Sequence, residues 1–466
     1  MTGDSNADAR SLAELRSRYD AGTLTVPELA AGVIAASSVP AHAEAWIHRV
    51  PDEELLAAAR ALQALPEARR KALALFGVPF AVKDNIDVAG VPTTAACPGF
   101  ARIPVVSAPA VQRLLDAGAL FVGKTNMDQF ATGLVGVRSP YGACKNPFDA
   151  RYITGGSSSG SALAVATGMV SFALGTDTAG SGRVPAAFCN LVGLKPTKGR
   201  VSTRGVVPAC PSLDCVTVFA TGAEDAFAVL RVLEGFDAAD PWSRHIPLSA
   251  ASSANLKAGG NFRFGVPLRG QLDFSGDVAY EALYGEAVER LQAHGGTATP
   301  VDIGPLLECA RLLYSGPWLA ERAEAIAGRG GFGEEHPEAL LPLLRTILEP
   351  AKAITAMDTF RGFGALRSLI RVAESLWESI DFLLLPTAPT IFTQAEVAAE
   401  PLARNADLGR FTNFVNLMDL SALALPAGFR PDGLPFGVTL MAPAFREDVL
   451  EQAAAVWEGR GGAGAR

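Results

Sequence analysis

The sequence lacks the patterns that mark several large classes of protein. It has no run of Lys and Arg, and its net charge of -8 gives it no basic footprint for a nucleic acid. Its five histidines form no HxxxH or HExxH pattern, so we expect no metal ion. Its six cysteines form no CxxC pair, which favours reduced thiols and a cytoplasmic protein over a disulfide framework. We therefore expect no cofactor and no nucleic-acid partner.

Long hydrophobic runs are also missing. The apolar run from Ala162 to Gly175 has about 14 residues, whereas a helix needs about 20 to span a bilayer. The first residues are polar and acidic, which is unlike a signal peptide. We expect no membrane partner.

What the chain does contain is enough apolar sequence for a large core, since 49% of its 466 residues are hydrophobic. Residues 1–72 are predicted to form a helical N-terminal region, in which Thr25, Pro27 and Glu28 mark a helix start. Short apolar strands then alternate with helices, which predicts an α/β catalytic domain over 73–445.

Two segments of the chain have a different predicted structure from this α/β alternation. A mainly helical insertion is predicted over about 250–380. Residues 446–466 are predicted as a helix followed by a Gly-rich tail. Because such a tail is typical of a linker, we expect that a further C-terminal domain follows in the natural protein.

The first candidate site is the segment YITGGSSSGSALAVATG at 152–168. Its glycines could form a flexible linker, but an apolar segment that should be buried follows directly, which favours a tight turn. Such a turn could bind phosphate or present a nucleophilic hydroxyl at a helix start. The Walker lysine is missing after Gly160, and Gly156, Ser158 and Gly160 fit the GxSxG pattern only loosely.

A second glycine cluster lies in LGTDTAGSGRVPAAF at 174–188. The backbone N–H groups of Thr178, Ala179, Gly180 and Ser181 could converge on one point, as an oxyanion hole requires. The alternative is a simple Gly-rich turn.

A serine nucleophile needs a base, and no histidine lies near either cluster in the sequence. Lys83 stands in the apolar stretch GVPFAVKDN, where burial would favour a neutral amine that can accept a proton. The alternative is that Lys83 pairs with Asp84, Asp87 or another acid.

These segments, together with GLPFGVTL, resemble the amidase signature family from about residue 25 to 445. The resemblance implies an α/β fold with a mixed central β-sheet of many strands covered by helices on both faces. It implies a catalytic triad of Lys83, Ser157 as a bridging serine after a cis peptide bond, and Ser181 as the nucleophile.

The resemblance also implies roles for the neighbours of the triad. Thr178, Ala179 and Gly180, with Ser181, would form the oxyanion hole. Ser158 would support the triad through its hydroxyl and Asp177 would orient the loop.

The same loop holds two further residues of interest. Arg183 would pair with an acid near the site. The family has a bulkier residue where this chain has Gly182, which indicates a crowded site or a backbone contact with a small substrate.

Within the family, VVPACPSLDCVTVFA and LLYSGPWLAER resemble the allophanate hydrolases. Arg322 would then bind the carboxylate of a small anionic amide substrate, because a guanidinium meets a carboxylate bidentately. Tyr314 would hydrogen-bond the substrate, and Gly133 would offer a backbone contact. Without the resemblance, Arg322 would be expected to pair with Glu321 or Glu324 on a solvated face.

The function implied is hydrolysis of allophanate with release of ammonia, in the catabolism of urea or s-triazines, by a homodimer. Three alternatives stay open. One is the glutamine-hydrolysing component of a tRNA-dependent amidotransferase, and a weaker one is a fatty acid amide hydrolase. The third is a non-catalytic homologue that binds an anion or a partner.

Overall fold

The computed structural model describes residues 11–247, 256, 260–327 and 332–459. One mixed sheet of eleven strands forms its centre. The strands are β1 Trp46–Arg49, β2 Pro79–Lys83, β3 Leu120–Thr125, β4 Phe172–Asp177, β5 Val192–Lys195, β6 Cys215–Ala220, β7 Phe262–Pro267, β8 Gly296–Val301, β9 Phe382–Pro386, β10 Ser421–Phe429 and β11 Pro435–Ala442. Their order across the sheet is β1-β3-β2-β4-β6-β5-β10-β11-β9-β7-β8. Strand β2 runs parallel to β3 and β4, and β7 runs parallel to β8 and β9, while the other pairs are antiparallel.

Helices fill most of the segments between the strands. The α-helices are α1 Leu12–Asp20, α2 Val26–Ser37, α3 Asp52–Gln63, α4 Glu67–Ala72, α5 Pro109–Asp116, α6 Ser159–Ala166, α7 Val184–Phe188, α8 Ala223–Leu233, α9 Val278–Ala293, α10 Gly304–Ser315, α11 Pro317–Ala327, α12 Phe332–Glu335, α13 Pro342–Leu348, α14 Ala356–Ala373, α15 Leu376–Ser379, α16 Gln394–Ala399, α17 Ala403–Leu408, α18 Phe414–Leu417 and α19 Glu447–Trp457. Short 3₁₀ helices span Pro40–Ala45, Pro98–Phe100, Gln129–Ala131, Pro337–Ala339 and Glu349–Ala353. The predicted helix start at Thr25 is confirmed, because Thr25 and Glu28 form a reciprocal capping box at the start of α2.

Helices cover the sheet on both faces, as the resemblance implied. Along β2, Phe80 and Val82 face one hydrophobic cluster and Ala81 faces another, because successive side chains of a strand point to opposite faces. The first cluster includes residues of α5, α8 and α19, and the second includes residues of α2, α3 and α6. Burial on both faces explains why β2, β4 and β6 are mostly apolar in the sequence and do not alternate with polar residues along their length.

The observed secondary structure differs from the sequence-based prediction at the edges of the sheet. Strand β1 lies within the region predicted as helical, and β7 and β8 lie within the predicted helical insertion. Strands β1 and β8 are the two ends of the sheet and are only partly buried, so they lack the apolar signal of the central strands. The predicted C-terminal helix is α19, whereas the Gly-rich tail at 460–466 lies outside the described residues.

The described part of the chain also bears on membrane-spanning helices, metal-binding groups and cysteines. None of its helices has the length and apolarity needed to cross a membrane. Within the same residues, no group of three or more His, Cys, Asp or Glu side chains is arranged to hold a metal ion. All six cysteines are buried and have free thiols.

Candidate active site

Lys83 ends strand β2 and is completely buried. Its Nζ lies 2.8 Å from Ser157 Oγ and 2.8 Å from Thr176 Oγ1. The acids that could have paired with it are engaged elsewhere: Asp84 pairs with Lys124, and Asp87 pairs with Arg102. Lys83 therefore forms no ion pair with any residue that the structure describes.

This environment changes the acidity of the lysine. Burial lowers the pKa of Lys83 from 10.5 to about 7, because an ammonium ion loses its hydration in the interior. The charges of Asp128, Asp214 and Asp177 oppose this shift without cancelling it, and Arg322 adds to it. Near neutral pH a substantial fraction of Lys83 is therefore an uncharged amine that can accept a proton.

The Gly–Ser segment is a buried turn, so the linker interpretation is wrong. Every residue from Ile153 to Val165 is buried, and α6 begins at Ser159. The peptide bond between Gly156 and Ser157 is cis, as the resemblance implied. The Ser158 hydroxyl lies 3.2 Å from the carbonyl oxygen of Thr176 and accepts a hydrogen bond from its N–H at 3.4 Å. These contacts join the turn to β4, next to the Lys83 amine.

The loop after β4 carries Ser181 and is held by one carboxylate. Asp177 accepts hydrogen bonds from the backbone N–H groups of Gly180 at 2.8 Å and Gly182 at 3.1 Å. Arg183, buried like Asp177, donates to both oxygens of that carboxylate at 2.9 Å. The sequence-based prediction that Arg183 pairs with an acid is confirmed, and Asp177 makes the contacts expected of a loop-orienting residue.

These contacts correct one expectation for the oxyanion hole. The N–H of Gly180 donates to Asp177 and is not available to a substrate oxygen. In contrast, the backbone N–H groups of Thr178, Ala179 and Ser181 donate to no other group among the described residues. The set of candidate oxyanion donors is thus smaller than the sequence predicted.

Neither of the two glycines that flank Ser181 has room for a side chain. Gly180 has a φ of +134°, and a Cβ there would lie 2.5 Å from Thr412 Oγ1. A Cβ at Gly182 would lie 2.9 Å from the side chain of Thr217 in β6. Of the two explanations considered for Gly182, the structure supports crowding, and the crowding comes from the sheet.

Ser181 lies against a second loop, which contains Gly133. The Ser181 hydroxyl donates to the carbonyl oxygen of Gly133 at 3.5 Å, a long hydrogen bond. Among the described residues, no hydrogen bond joins the hydroxyls of Ser181 and Ser157 directly. Gly133 has a φ of +146°, and a Cβ there would lie 2.9 Å from Asp128 Oδ2.

Asp128 ties this second loop to the Gly–Ser turn. Its carboxylate accepts the N–H groups of Gly136 at 3.0 Å and Arg138 at 2.8 Å, and its own N–H donates to the carbonyl oxygen of Ser157 at 3.1 Å. Burial raises the pKa of Asp128, and the Arg138 guanidinium opposes that change. Asp128 therefore holds both the loop that contains Gly133 and the turn that contains Ser157.

Arg322 and Tyr314 lie on consecutive helices and are in contact. Helix α10 ends at Ser315 and α11 begins at Pro317, which places the Arg322 guanidinium 5.8 Å from the centre of the Tyr314 ring. Arg322 is only 2% exposed, so the expectation of a solvated surface pair is wrong. Its Nη1 donates to Thr132 Oγ1 at 3.1 Å and to the carbonyl oxygen of Ala131 at 3.5 Å.

This guanidinium is a buried cation without a matching anion. In the described part of the chain no carboxylate lies within ion-pair distance of Arg322. Glu321 binds Ser212, and Glu324 is exposed. Because burying an unpaired charge is costly, the site is suited to receive an anion.

A cavity of about 550 Å³ lies beside Tyr314, but neither Arg322 nor Ser181 is among the residues that line it. Tyr314, Arg410 and Asn413 are among the residues that line it. Thr412, beside Asn413 in the chain, packs its side chain against Gly180 of the nucleophile loop.

The chain is similar to known proteins along most of its length. The family model described as Amidase matches residues 33–450. The chain belongs to the amidase family. Its fold is that of amidase-family enzymes.

The chain is also similar to individual members of the amidase family. The chain is 46% identical over 408 residues to urea amidolyase of Saccharomyces cerevisiae, covering 87% of this chain and 22% of that protein. It is 38% identical over 415 residues to a component of the glutamyl-tRNA(Gln) amidotransferase of Prochlorococcus marinus, covering 82% and 83%. It matches the structure of Kluyveromyces lactis allophanate hydrolase with a TM-score of 0.88 and 42% identity, covering 98% of this chain and 74% of that one. The chain thus spans about a fifth of the length of the yeast relative.

Several residues of this amidase-family site were missed by sequence reasoning. They are Thr176 beside Lys83, Asp128 and Arg138 in the second loop, Thr132 beside Arg322, and Asp214, whose carboxylate accepts the Thr178 hydroxyl. Asp214 lies within the segment that resembles allophanate hydrolases, which could have drawn attention to it. The others carry no local signal, because their contacts join distant parts of the chain.

Proposed function

We propose that this protein hydrolyses allophanate and releases ammonia through an acyl-enzyme formed on Ser181. The observation that carries the proposal is Arg322, a guanidinium that is 2% exposed and lacks a carboxylate partner among the described residues. Allophanate is small and planar, with an amide at one end and a carboxylate at the other. Its carboxylate would complete the ion pair at Arg322 with bidentate geometry.

The first chemical step uses the groups around Lys83. The neutral amine accepts the Ser157 proton, and Ser157 accepts the proton of Ser181 once the Ser181 hydroxyl rotates away from Gly133. Ser181 Oγ then attacks the terminal amide carbon. The 2.8 Å contact between Lys83 Nζ and Ser157 Oγ supports the first of these transfers.

The tetrahedral intermediate carries its negative charge on the former carbonyl oxygen. The free N–H groups of Thr178, Ala179 and Ser181 are the donors proposed to stabilise it. Collapse of the intermediate breaks the C–N bond. The proton returns through Ser157 to the leaving nitrogen, which departs as ammonia, and water then hydrolyses the acyl-enzyme at Ser181.

Tyr314 and Gly133 complete the proposed substrate site. Tyr314 would donate its hydroxyl to the substrate while its ring faces the Arg322 guanidinium. The Gly133 carbonyl, already beside Ser181, would accept an N–H of the substrate. Ser158 and Asp177 would hold the turn and the loop in place through the contacts described above. We also propose a cytoplasmic homodimer as the working form.

The experiment that tests this function is a comparison of substrates. Ammonia release is measured from freshly prepared allophanate, malonamate, biuret and glutamine. We expect rapid release from allophanate, slower release from malonamate and little from glutamine. A Ser181→Ala variant, which should keep its melting temperature and lose labelling by a serine-reactive fluorophosphonate, serves as the control. Release from glutamine alone would favour the amidotransferase component, and no labelling of the wild type would favour a non-catalytic homologue.

A further inference from the structure

Helix α11 is fastened to the loop at 209–214 by the side chain of Glu321. One oxygen of this carboxylate accepts the N–H of Ser212 at 2.7 Å. The other oxygen lies 2.6 Å from Ser212 Oγ and 2.8 Å from Cys210 Sγ. Within the described residues Glu321 makes no ion pair, and its protein partners are these donors.

The same loop is fastened on its other side to the loop that carries Ser181. The Asp214 carboxylate accepts the N–H of Ala209 at 2.9 Å, the N–H of Cys210 at 3.2 Å and the hydroxyl of Thr178. Asp214 is 6% exposed, and burial raises its pKa to about 6. A continuous set of hydrogen bonds therefore runs from α11 to the loop of the candidate oxyanion donors.

We infer that Glu321 is a positioning residue for substrate specificity, which sets the Arg322 guanidinium at a fixed distance from Ser181 through Ser212, Cys210, Asp214 and Thr178. The inference rests on the proposed function, since it assigns Arg322 to the carboxylate of the substrate. The carboxylate site and the oxyanion site then behave as one rigid frame rather than two independent ones.

The geometry of the helix explains why this residue can act on its neighbour. Successive residues of an α-helix lie about 100° apart around its axis, so Glu321 can bind one loop while Arg322 reaches another. Arg322 touches Ala131 and Thr132, whereas Glu321 touches Ser212. Loss of the Glu321 contacts would let α11 rotate or slide, and a misplacement of about 1 Å can cost about 100-fold in rate.

The test compares an anionic and a neutral substrate of the same shape. We would measure kcat and KM for malonamate and malonamide with the wild type, Glu321→Gln and Ser212→Ala. Glu321→Gln should raise KM for malonamate about tenfold, the value expected from weakening one or two charge-assisted hydrogen bonds. Ser212→Ala should raise it less, because the backbone N–H remains. KM for malonamide should change by no more than about twofold in either variant.

The matched control is Glu324→Gln, which removes the same charge from an exposed position of the same helix. This variant should keep both KM values within about twofold of the wild type. Equal changes for both substrates, or unchanged KM for malonamate in Glu321→Gln, would overturn the inference. If Glu321→Gln does not fold, Ser212→Ala decides alone by the same criterion. A wild-type enzyme that does not prefer malonamate over malonamide would instead refute anion recognition at Arg322, and the role of Glu321 would fall with it.

Discussion

Two neighbouring strands of the sheet each bury a lysine, and the two lysines have opposite surroundings. Lys124 on β3 lies 3.1 Å from Asp84 and 2.9 Å from Thr93 Oγ1. Within the described residues, the amine of Lys83 on β2 forms hydrogen bonds with the hydroxyls of Ser157 and Thr176 and with no carboxylate. Both side chains are 0% exposed, so burial does not distinguish them. Burial lowers the pKa of Lys124 as well, but the charge of Asp84 opposes that change at ion-pair distance, whereas Lys83 has no carboxylate at that distance among the described residues and is the candidate base.

The buried arginines repeat this contrast. Arg183 donates to both oxygens of Asp177, whereas Arg322 donates, among the residues that the structure describes, to the neutral oxygens of Ala131 and Thr132. A paired cation stabilises the fold in which it is embedded. An unpaired cation can still form an ion pair with the carboxylate of a substrate. Substitutions at the paired and the unpaired residues should therefore have different effects.

Lys83→Met should have the largest effect on activity. Without a proton acceptor, kcat/KM should fall by about 10³-fold or more. Thermal stability should stay near that of the wild type, because no ion pair is lost. The measurement is steady-state ammonia release with a melting curve on the same sample. Retained turnover would show that Lys83 is not the base.

Lys124→Met should give the opposite result. The substitution leaves Asp84 buried and unpaired, which should cost about 3–5 kcal/mol of unfolding free energy. Chemical denaturation measures this loss. At a temperature where the variant is folded, its kcat/KM should be close to that of the wild type. A stable Lys124→Met variant with little activity would reverse the roles assigned to the two lysines.

Arg322→Lys should raise KM for malonamate by about 10- to 100-fold, since the bidentate contact with a carboxylate is lost. KM for malonamide should change much less. Arg183→Lys is the matched substitution at the paired arginine, and it should lower stability and affect both substrates alike. If Arg322→Lys also affects both substrates equally, Arg322 is structural as well.

The pH dependence should show the smallest effect. Since the pKa of Lys83 is about 7, kcat/KM should rise with pH through that value, about tenfold per unit below it. The folded state binds fewer protons at Lys83 than the unfolded state between pH 7 and 10.5, so Lys83 makes stability rise with pH in this window. Lys83→Met should remove that contribution. An acid optimum would contradict a neutral lysine base.

Sequence reasoning predicted the central part of the fold and missed its edges. The start of α2 and the C-terminal helix α19 were predicted, as was the alternation of strands and helices over the central part of the chain. The edge strands β1 and β8 were not, since a half-exposed strand has a weak pattern. In the site, the proposed triad residues came from motifs, whereas Thr176 and Asp128 had no local signal.

The sequence by itself determined the alternation of helices and buried strands in the central part of the chain, because side-chain periodicity acts over a few residues. It also determined the family, because the glycine-rich motifs and the lysine segment occur together. Only the tertiary structure decided which cations are paired. Lys83 and Ser157 are 74 residues apart in the chain, and Arg322 and Thr132 are 190 apart. Charge and acidity depend on distances and burial in space, and the fold alone brings such residues together.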